Sequence, residues 1–340
     1  MKEALFYSKG SNQAVHCSLC FHQCTIQPGK TGICGVRENR EGILYTLVYG
    51  KSISEAVDPI EKKPVFHYHP GSRVLSLGGV GCSLRCTFCQ NWRYSYIDGA
   101  AGELPQPNLL PHQAIELALD QRCQGIAWTY NEPTISFDYV RDCAMLAQEA
   151  GLFAVLVTNG YISLPALDLL APHLDVYRVD LKSLSPQFYH DLCHGAALDD
   201  VLRATDRAKA HGLHLEVSTP LVPGWNDTQH ALQQIARWIA THLGPETPWH
   251  LLPFQPAAHM SACPSTGLEQ VEMAIEVGRS SGLYYAYSAI DSGWSDTCQT
   301  LCPLCGQEVV LRDAAFHVEV KSVTGHCPNC GLKVFSVRGD

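Results

Sequence analysis

The sequence predicts an α/β fold, a partial (β/α)6 barrel with a cysteine-rich segment at each end. From residue 73 to about 290, short apolar β-prone runs alternate with stretches of helical period, the pattern of parallel strands joined by crossover helices. Polar motifs recur just after the apolar runs, where a barrel gathers residues from several strands into one site, and this favours a barrel over an open doubly wound sheet. With 340 residues, 46% of them hydrophobic, the chain has the length of about two domains and ample material for a core.

In chain order, strands are predicted at 74–77, 125–129, 154–158, 176–181, 213–219 and 249–254. Helical patterns fall between and after them at 113–122, 135–150, 201–210, 229–242 and 268–280. Gly151, Gly212 and Gly282 stand just beyond three of these, in the position where glycine closes a helix. Residues 99–111 read as a loop. The predicted organisation is an N-terminal Cys-rich metal-binding segment (1–72), the barrel (73–290) and a zinc-ribbon-like segment (291–340).

A net charge of −9 argues against broad nucleic-acid binding. No run approaches the ~20 apolar residues of a membrane helix, and Met1-Lys2-Glu3-Ala4-Leu5-Phe6-Tyr7 lacks the apolar stretch of a signal peptide. The expected location is cytoplasmic, where thiols stay reduced, so the 16 cysteines point to metal rather than to disulfides.

The most informative stretch is Cys82-Ser83-Leu84-Arg85-Cys86-Thr87-Phe88-Cys89, a C-x3-C-x2-C spacing directly after the first strand and a glycine patch (Gly78, Gly79, Gly81). Iron–sulfur clusters usually take four thiolates. Three held this closely, with no fourth at matching distance, grip a [4Fe-4S] cube at three corners and leave one iron open for another ligand, as catalytic zinc sites keep an open position. The glycines let the backbone turn and approach a ligand closely, and Phe88 is placed to shield one side of the cluster.

Followed by Gln90-Asn91-Trp92, this motif resembles that of radical SAM enzymes, in the branch near the pyruvate formate-lyase activating enzyme. The chain is most similar to the radical SAM enzymes of the AmmeMemoRadiSam system, and the resemblance runs through most of its length. It implies an S-adenosylmethionine site on the strand ends. Tyr130-Asn131-Glu132-Pro133-Thr134 follows the second strand as the Tyr-x-Glu-Pro-Thr form of that family, with Glu132 receiving the SAM ammonium by a charge-assisted hydrogen bond; a helix-cap role for Glu132 stays open. Thr158-Asn159-Gly160 resembles the family's Thr-Asn-Gly, facing ribose and methionine carboxylate, where a plain turn gives the same letters. Asp180 and Lys182 are implied as site residues after the fourth strand, with a strand-end salt bridge as the alternative. After the fifth, Asn226 and Asp227 match the family or cap the next helix. On the sixth, Leu252-Pro253-Phe254-Gln255-Pro256 replaces the relatives' Arg-Phe-His-Pro, which removes any charged role there.

Two further cysteine sets have metal-ligand spacing. Cys302, Cys305, Cys327 and Cys330 form two C-x2-C knuckles, each followed by glycine, the spacing of a zinc ribbon. A segment this short needs such a staple. Cys17, Cys20, Cys24 and Cys34 lie within 18 residues and suit zinc or a second iron–sulfur cluster. Cys298 is a spare. Cys123, Cys143, Cys193 and Cys263 are read as small buried hydrophobes, and His67-Tyr68-His69 is kept out of the site.

The resemblance implies an enzyme that generates a 5′-deoxyadenosyl radical with SAM, takes an electron from a flavodoxin- or ferredoxin-like donor, and acts on a protein partner, by glycyl-radical activation or on a Memo-like protein. A small-molecule substrate and a non-catalytic metal-binding scaffold are the alternatives.

Overall fold

The computed structural model describes residues 1–97, 108–288 and 295–337. Its centre is an eight-stranded sheet. In chain order the strands are β1 (Ser54–Pro59), β2 (Arg73–Gly78), β3 (Gly125–Trp128), β4 (Phe153–Thr158), β5 (Val176–Asp180), β6 (His214–Leu221), β7 (Trp249–Pro253) and β8 (Ala286–Ser288). Strand order in space follows strand order in sequence, with β2 to β8 parallel and β1 antiparallel to β2. Such an order has no switch point. Right-handed crossovers therefore place the helices on one face and leave the other as the concave wall of a partial barrel.

Every strand predicted from sequence is present, because runs such as FAVLVT (β4) and GIAW (β3) are apolar throughout and fully buried, as strands covered on both faces must be. β1 and β8 were not predicted. SEAVDP (β1) is half-buried and mixed in character, as an edge strand is, and β8 has only three residues. The sheet thus begins within the predicted N-terminal segment. The helices α1 (Pro111–Asp120), α2 (Phe137–Glu149), α3 (Leu164–Leu170), α4 (Pro186–Cys193), α5 (Leu198–Ala210), α6 (Gln229–Trp238) and α7 (Leu268–Ser280) follow the strands. α3 and α4 have too few residues to show a period.

Side-chain alternation sorts the strands into two faces. Leu75, Leu77, Ile126, Trp128, Leu156, Val217 and Leu251 pack in the main core with the helices. Val74, Ala127, Val155, Val157 and Val176 form a separate cluster with Ile60 and Val65, which closes one end of the concave side. Beyond it the inner face turns polar, with Arg178 and Asp180 on β5, Glu216 on β6 and His250 on β7.

The C-terminal segment is a three-stranded sheet (Thr300–Leu301, Glu308–Arg312, Val318–Val320) bearing the two cysteine knuckles. It docks on the barrel through Arg312. This buried guanidinium donates to the carbonyls of Phe66 (2.8 Å) and Cys298 (3.0 Å), lies 3.5 Å from the Glu61 carboxylate and sits over the Phe66 ring. Removing one member of such a pair costs about 3–5 kcal/mol, because the other charge is left buried.

His67 is the second link. It is buried; Nδ1–H donates to the Val334 carbonyl (2.6 Å), and Nε2 accepts the Tyr287 hydroxyl (2.7 Å), so the neutral ring satisfies both neighbours. Burial pulls its pKa down to about 3. The stability it contributes is therefore complete above the unfolded value of about 6.5 and declines as pH falls from there towards the folded value. Acidification through that window should destabilise the protein by about 1 kcal/mol per pH unit from this residue. Thermal unfolding of the native chain and of His67→Gln at pH 4 to 7 checks it: the variant should unfold at lower temperature at pH 7 and show a flatter dependence below.

Candidate functional site

The C-terminal ends of the strands open onto a cavity of about 990 Å³ whose lining includes Cys82, Cys86, Cys89, Phe88, Tyr130, Asn131, Glu132, Thr158, Asn159, Asp180 and Lys182. The three cysteines of the loop after β2 and the polar residues at the ends of β3, β4 and β5 thus come together. Parallel strands in sequential order end on the same rim, so residues ~100 positions apart in sequence meet there.

The cysteine loop is held from several sides. Arg85 donates to the carbonyls of Ser95 (2.6 Å), Ile33 (2.9 Å) and Ile97 (3.1 Å), and the Tyr96 hydroxyl donates to the Cys86 carbonyl. Backbone N–H groups of Arg85 and Thr87 bond to the end of α4. The Leu84 N–H points at Cys82 Sγ (3.3 Å). Within the glycine patch, Gly81 has φ +88°, and a Cβ there would meet the Cys34 carbonyl at 2.6 Å, so it lets the loop turn and close on the N-terminal segment. Asn131 clamps this patch, accepting from Gly79 N–H (3.0 Å) and donating to the Gly81 carbonyl (2.9 Å).

Glu132 is 1% exposed. Its Oε1 accepts from Thr134 N–H (2.8 Å) and the Thr158 hydroxyl (2.8 Å), and Oε2 accepts from Asn159 N–H (2.7 Å). Of the four lone-pair positions of a carboxylate, three are taken. The side chain is therefore both the cap of the turn beginning at Pro133 and the bond between the ends of β3 and β4, with one acceptor position left for an incoming donor. Burial raises its pKa against the lowering effect of these donors. Asn159, fixed through Oδ1 by Tyr161 N–H (2.9 Å), turns Nδ2 to Ser83 Oγ (3.1 Å) and Cys82 Sγ (3.7 Å). Tyr130 directs its hydroxyl to Asp58 Oδ2 (3.1 Å).

Asp180 pairs with both Arg178 and Lys182 (3.1 Å to Nζ). Burial works against its charge, but these two cations hold its pKa below the ordinary range. Burial likewise opposes the Lys182 charge, which Asp180 and the Cys86 and Cys193 sulfurs outweigh. Lys182 Nζ lies 6.0 Å from the Phe88 ring centre. Asn226 ties the Lys182 carbonyl (2.6 Å) to the turn after β6, while Thr228, not Asp227, caps α6.

Sequence reading missed the charged groups on the concave side of the sheet, some of which line the cavity. Asp58 and Lys63 pair at 2.7 Å, and Glu216, fully buried, accepts from Phe66 and His67 N–H and from Nε2 of His214 (2.9 Å) and His250 (2.6 Å). Burial opposes the Glu216 charge, and the two histidines hold its pKa well below the carboxylate range. Polar residues alternating inside β5 and β6 (Arg178, Asp180; Glu216, Ser218) were the available signal.

Burial also raises the pKa values of Cys82 and Cys89, and for Cys86 the neighbouring Cys193 does so first, with burial adding to it. Three thiolates become compatible with this setting when a metal centre supplies positive charge. The donor set and the cavity fit a cluster on three cysteines with a ligand beside it. Elsewhere, the Sγ atoms of Cys302, Cys305, Cys327 and Cys330 lie within 4.8 Å of one another, the only such group of metal-binding side chains among the described residues. Hydrogen bonding from Asn329 holds the Cys305 thiol down at about 6. Cys17, Cys20, Cys24 and Cys34 gather where the N-terminal segment meets the cysteine loop.

Fold and site together define a partial β/α barrel in which three closely spaced cysteines and the polar ends of β3, β4 and β5 face one cavity. The family model described as "Radical SAM superfamily" matches residues 77–239, and the chain belongs to that superfamily, whose membership implies a [4Fe-4S] cluster and SAM. It is 37% identical to the uncharacterized protein MJ0808 of Methanocaldococcus jannaschii, over 98% of this chain and 99% of that one. It is 28% identical to GTP 3',8-cyclase of Haemophilus influenzae over 165 residues, 46% of this chain and 47% of the cyclase. A radical SAM methyltransferase of Sphaerobacter thermophilus shares the fold, with a TM-score of 0.50 at 18% identity over 71% of each chain. Among the described residues no helix is long and apolar enough to cross a membrane.

Glu132→Ala should remove an acceptor from three donors at once. A loss of about 2–3 kcal/mol in stability is expected together with weaker SAM binding, measured by thermal unfolding and by calorimetric titration. Unchanged stability would contradict its place as the bond between β3 and β4.

Proposed function

We propose that Cys82, Cys86 and Cys89 hold a [4Fe-4S] cluster and that SAM lies between it and the ends of β3, β4 and β5, in an enzyme acting on a protein partner. The observation that carries this reading is the convergence of the three cysteines with Glu132, Asn159, Asp180 and Lys182 on one cavity. A cluster held by Cys82, Cys86 and Cys89 would supply the electron for reductive cleavage of SAM bound beside it. The protein's own work is to bind, orient and exclude water. The remaining acceptor position of Glu132 suits the SAM ammonium. Asn159 Nδ2, 3.7 Å from Cys82 Sγ, would tune a cluster held there through a hydrogen bond to sulfur. The Asp180–Lys182 pair presents fixed charges to the carboxylate and ribose. Phe88 and Phe254, both buried, limit water on the cavity wall.

A protein partner of the Memo type, or a glycyl-radical enzyme, follows from the motif resemblance, as does a flavodoxin- or ferredoxin-like electron donor in a cytoplasmic setting. The partial likeness to GTP 3',8-cyclases favours the second reading, a small-molecule substrate. The C-terminal knuckles are read as a structural zinc ribbon, since four thiols at single-ion spacing close a site with no open position.

Anaerobic reconstitution with iron and sulfide, followed by SAM and dithionite, should yield 5′-deoxyadenosine by mass spectrometry from the native chain and none from Cys86→Ala. Absence from both, with the cluster present by absorbance, would refute SAM cleavage as its basal activity. Cys305→Ala should release zinc and lower the unfolding temperature while the iron content stays unchanged; equal loss of iron would contradict this division of roles.

A further inference from the structure

We propose that the deeper end of the cavity is the substrate pocket and that it takes an oxyanion, a carboxylate or a phosphate carried on an apolar body, with Arg178 as its anchor. This deepens the function proposed above and rests on it, because SAM is taken to fill the rim end. At about 990 Å³ the cavity stands at the upper limit of small-molecule sites, which run from about 300 to 1,000 Å³, so it has room for more than one ligand.

Strand geometry gives Arg178 its place. Val176, Arg178 and Asp180 share the inner face of β5, with Val176 in the apolar floor and Asp180 at the rim beside Lys182. Arg178 lies two residues, about 7 Å, below Asp180, and it is 7% exposed. Its Nε donates to the Lys63 carbonyl (3.1 Å) and its Nη1 to Asp180, which fixes the plane of the guanidinium. Nη2 has no partner among the described residues, nor is it walled in by protein, so it opens on the cavity that Arg178 lines. A donor held in a protein interior calls for an acceptor, and a fixed planar guanidinium matches the oxygens of carboxylate and phosphate.

The neighbouring charges agree. Lys62 and Lys63 also line the cavity and share one carboxylate, Asp58 (3.3 and 2.7 Å). Glu216, opposite Arg178 across β5 and β6, is already met by two backbone amides and two histidines.

Two aromatic rings, Phe66 and Phe316, complete this part of the lining. Phe316 comes from the C-terminal sheet, in the turn between its second and third strands. It has φ +62° and is held there by its N–H bond to the Asp313 carbonyl (3.0 Å), while the Asp313 carboxylate accepts from Ala315 N–H (2.8 Å) and His317 N–H (2.9 Å). The ring centre lies 5.3 Å from Lys62 Nζ. The C-terminal segment thus supplies a wall of the cavity as well as the cysteine knuckles. Cations beside aromatic rings select an anionic group on an apolar body.

The test uses the full chain reconstituted with iron and sulfide, and three probes, benzoate, phenyl phosphate and benzyl alcohol, followed by saturation-transfer nuclear magnetic resonance at constant ionic strength. One of the anions is expected to bind about tenfold more tightly than the alcohol, and which one it is tells carboxylate from phosphate. Arg178→Gln should weaken that anion about tenfold and Phe316→Ala about threefold. In case Arg178→Gln folds poorly, Lys62→Glu is made at a side chain that is 44% exposed; it should weaken the anion about threefold at an unchanged unfolding temperature. Equal binding of the alcohol, or an anion affinity that these variants leave unchanged, overturns the proposal. Displacement of the anion by SAM also overturns it, since Arg178 would then hold the SAM carboxylate. Failure of the SAM reading appears elsewhere: SAM gives no heat in calorimetric titration, while anion binding that depends on Arg178 persists and leaves the anion site standing.

Discussion

Three donors converging on the buried Glu132 carboxylate fix the geometry from which the rest of the site follows. Thr134 holds it to the turn after β3, while Thr158 and Asn159 bind it to the end of β4. Asn159, once placed by that bond, reaches Ser83 and Cys82. A single carboxylate therefore sets the distance between two strand ends and, through one amide, the position of the cysteine loop above them. A buried ionised carboxylate is tolerated only when its lone pairs are met, and here the requirement to satisfy it organises the neighbouring backbone.

The concave side of the sheet repeats this logic deeper down. Glu216 is met by two backbone amides and two histidines, Asp180 by Arg178 and Lys182, Asp58 by Lys62 and Lys63. An apolar floor made of Ile60, Val65, Val155 and Val176 lies beneath. Charge in such an interior is costly to leave unpaired, so the side chains are locked into few arrangements. A stiff polar wall is what an enzyme needs where a reactive species must meet one partner and no other.

How much of this was legible in sequence follows from the kind of signal each part leaves. The predicted strands announced themselves through buried, β-prone apolar runs, most plainly β3 and β4. β1 did not, since an edge strand of mixed residues resembles a loop. Cys82, Cys86 and Cys89 stand out because they keep the close local spacing that metal ligation would impose, and the C-terminal knuckles do likewise. Glu132, Asn159 and Asp180 were located by resemblance to family motifs that follow the strands. Their partners were not predictable, because Asn159 meets Cys82 only through the register of β2, β3 and β4. Gly81 was legible as a turn, but not the Cys34 carbonyl for which it makes room; local sequence gives a glycine's freedom but not the neighbour it accommodates. His67 is a structural link whose partners lie 220 and 267 residues away.

Those separations also bear on how the chain acquires its shape during synthesis. Phe66 and His67 are anchored to Glu216 on β6, to Tyr287 on β8, and to Arg312 and Val334 in the C-terminal sheet. The early strands can pair as they leave the ribosome, but the anchoring of His67 stays incomplete until residue 334 has emerged. Long-range closure of this kind is slow, and N-terminal parts fold first. The cysteine loop, completed near the start of translation, therefore waits in a half-built barrel, and insertion of an oxygen-sensitive cofactor is best timed after release of the finished chain.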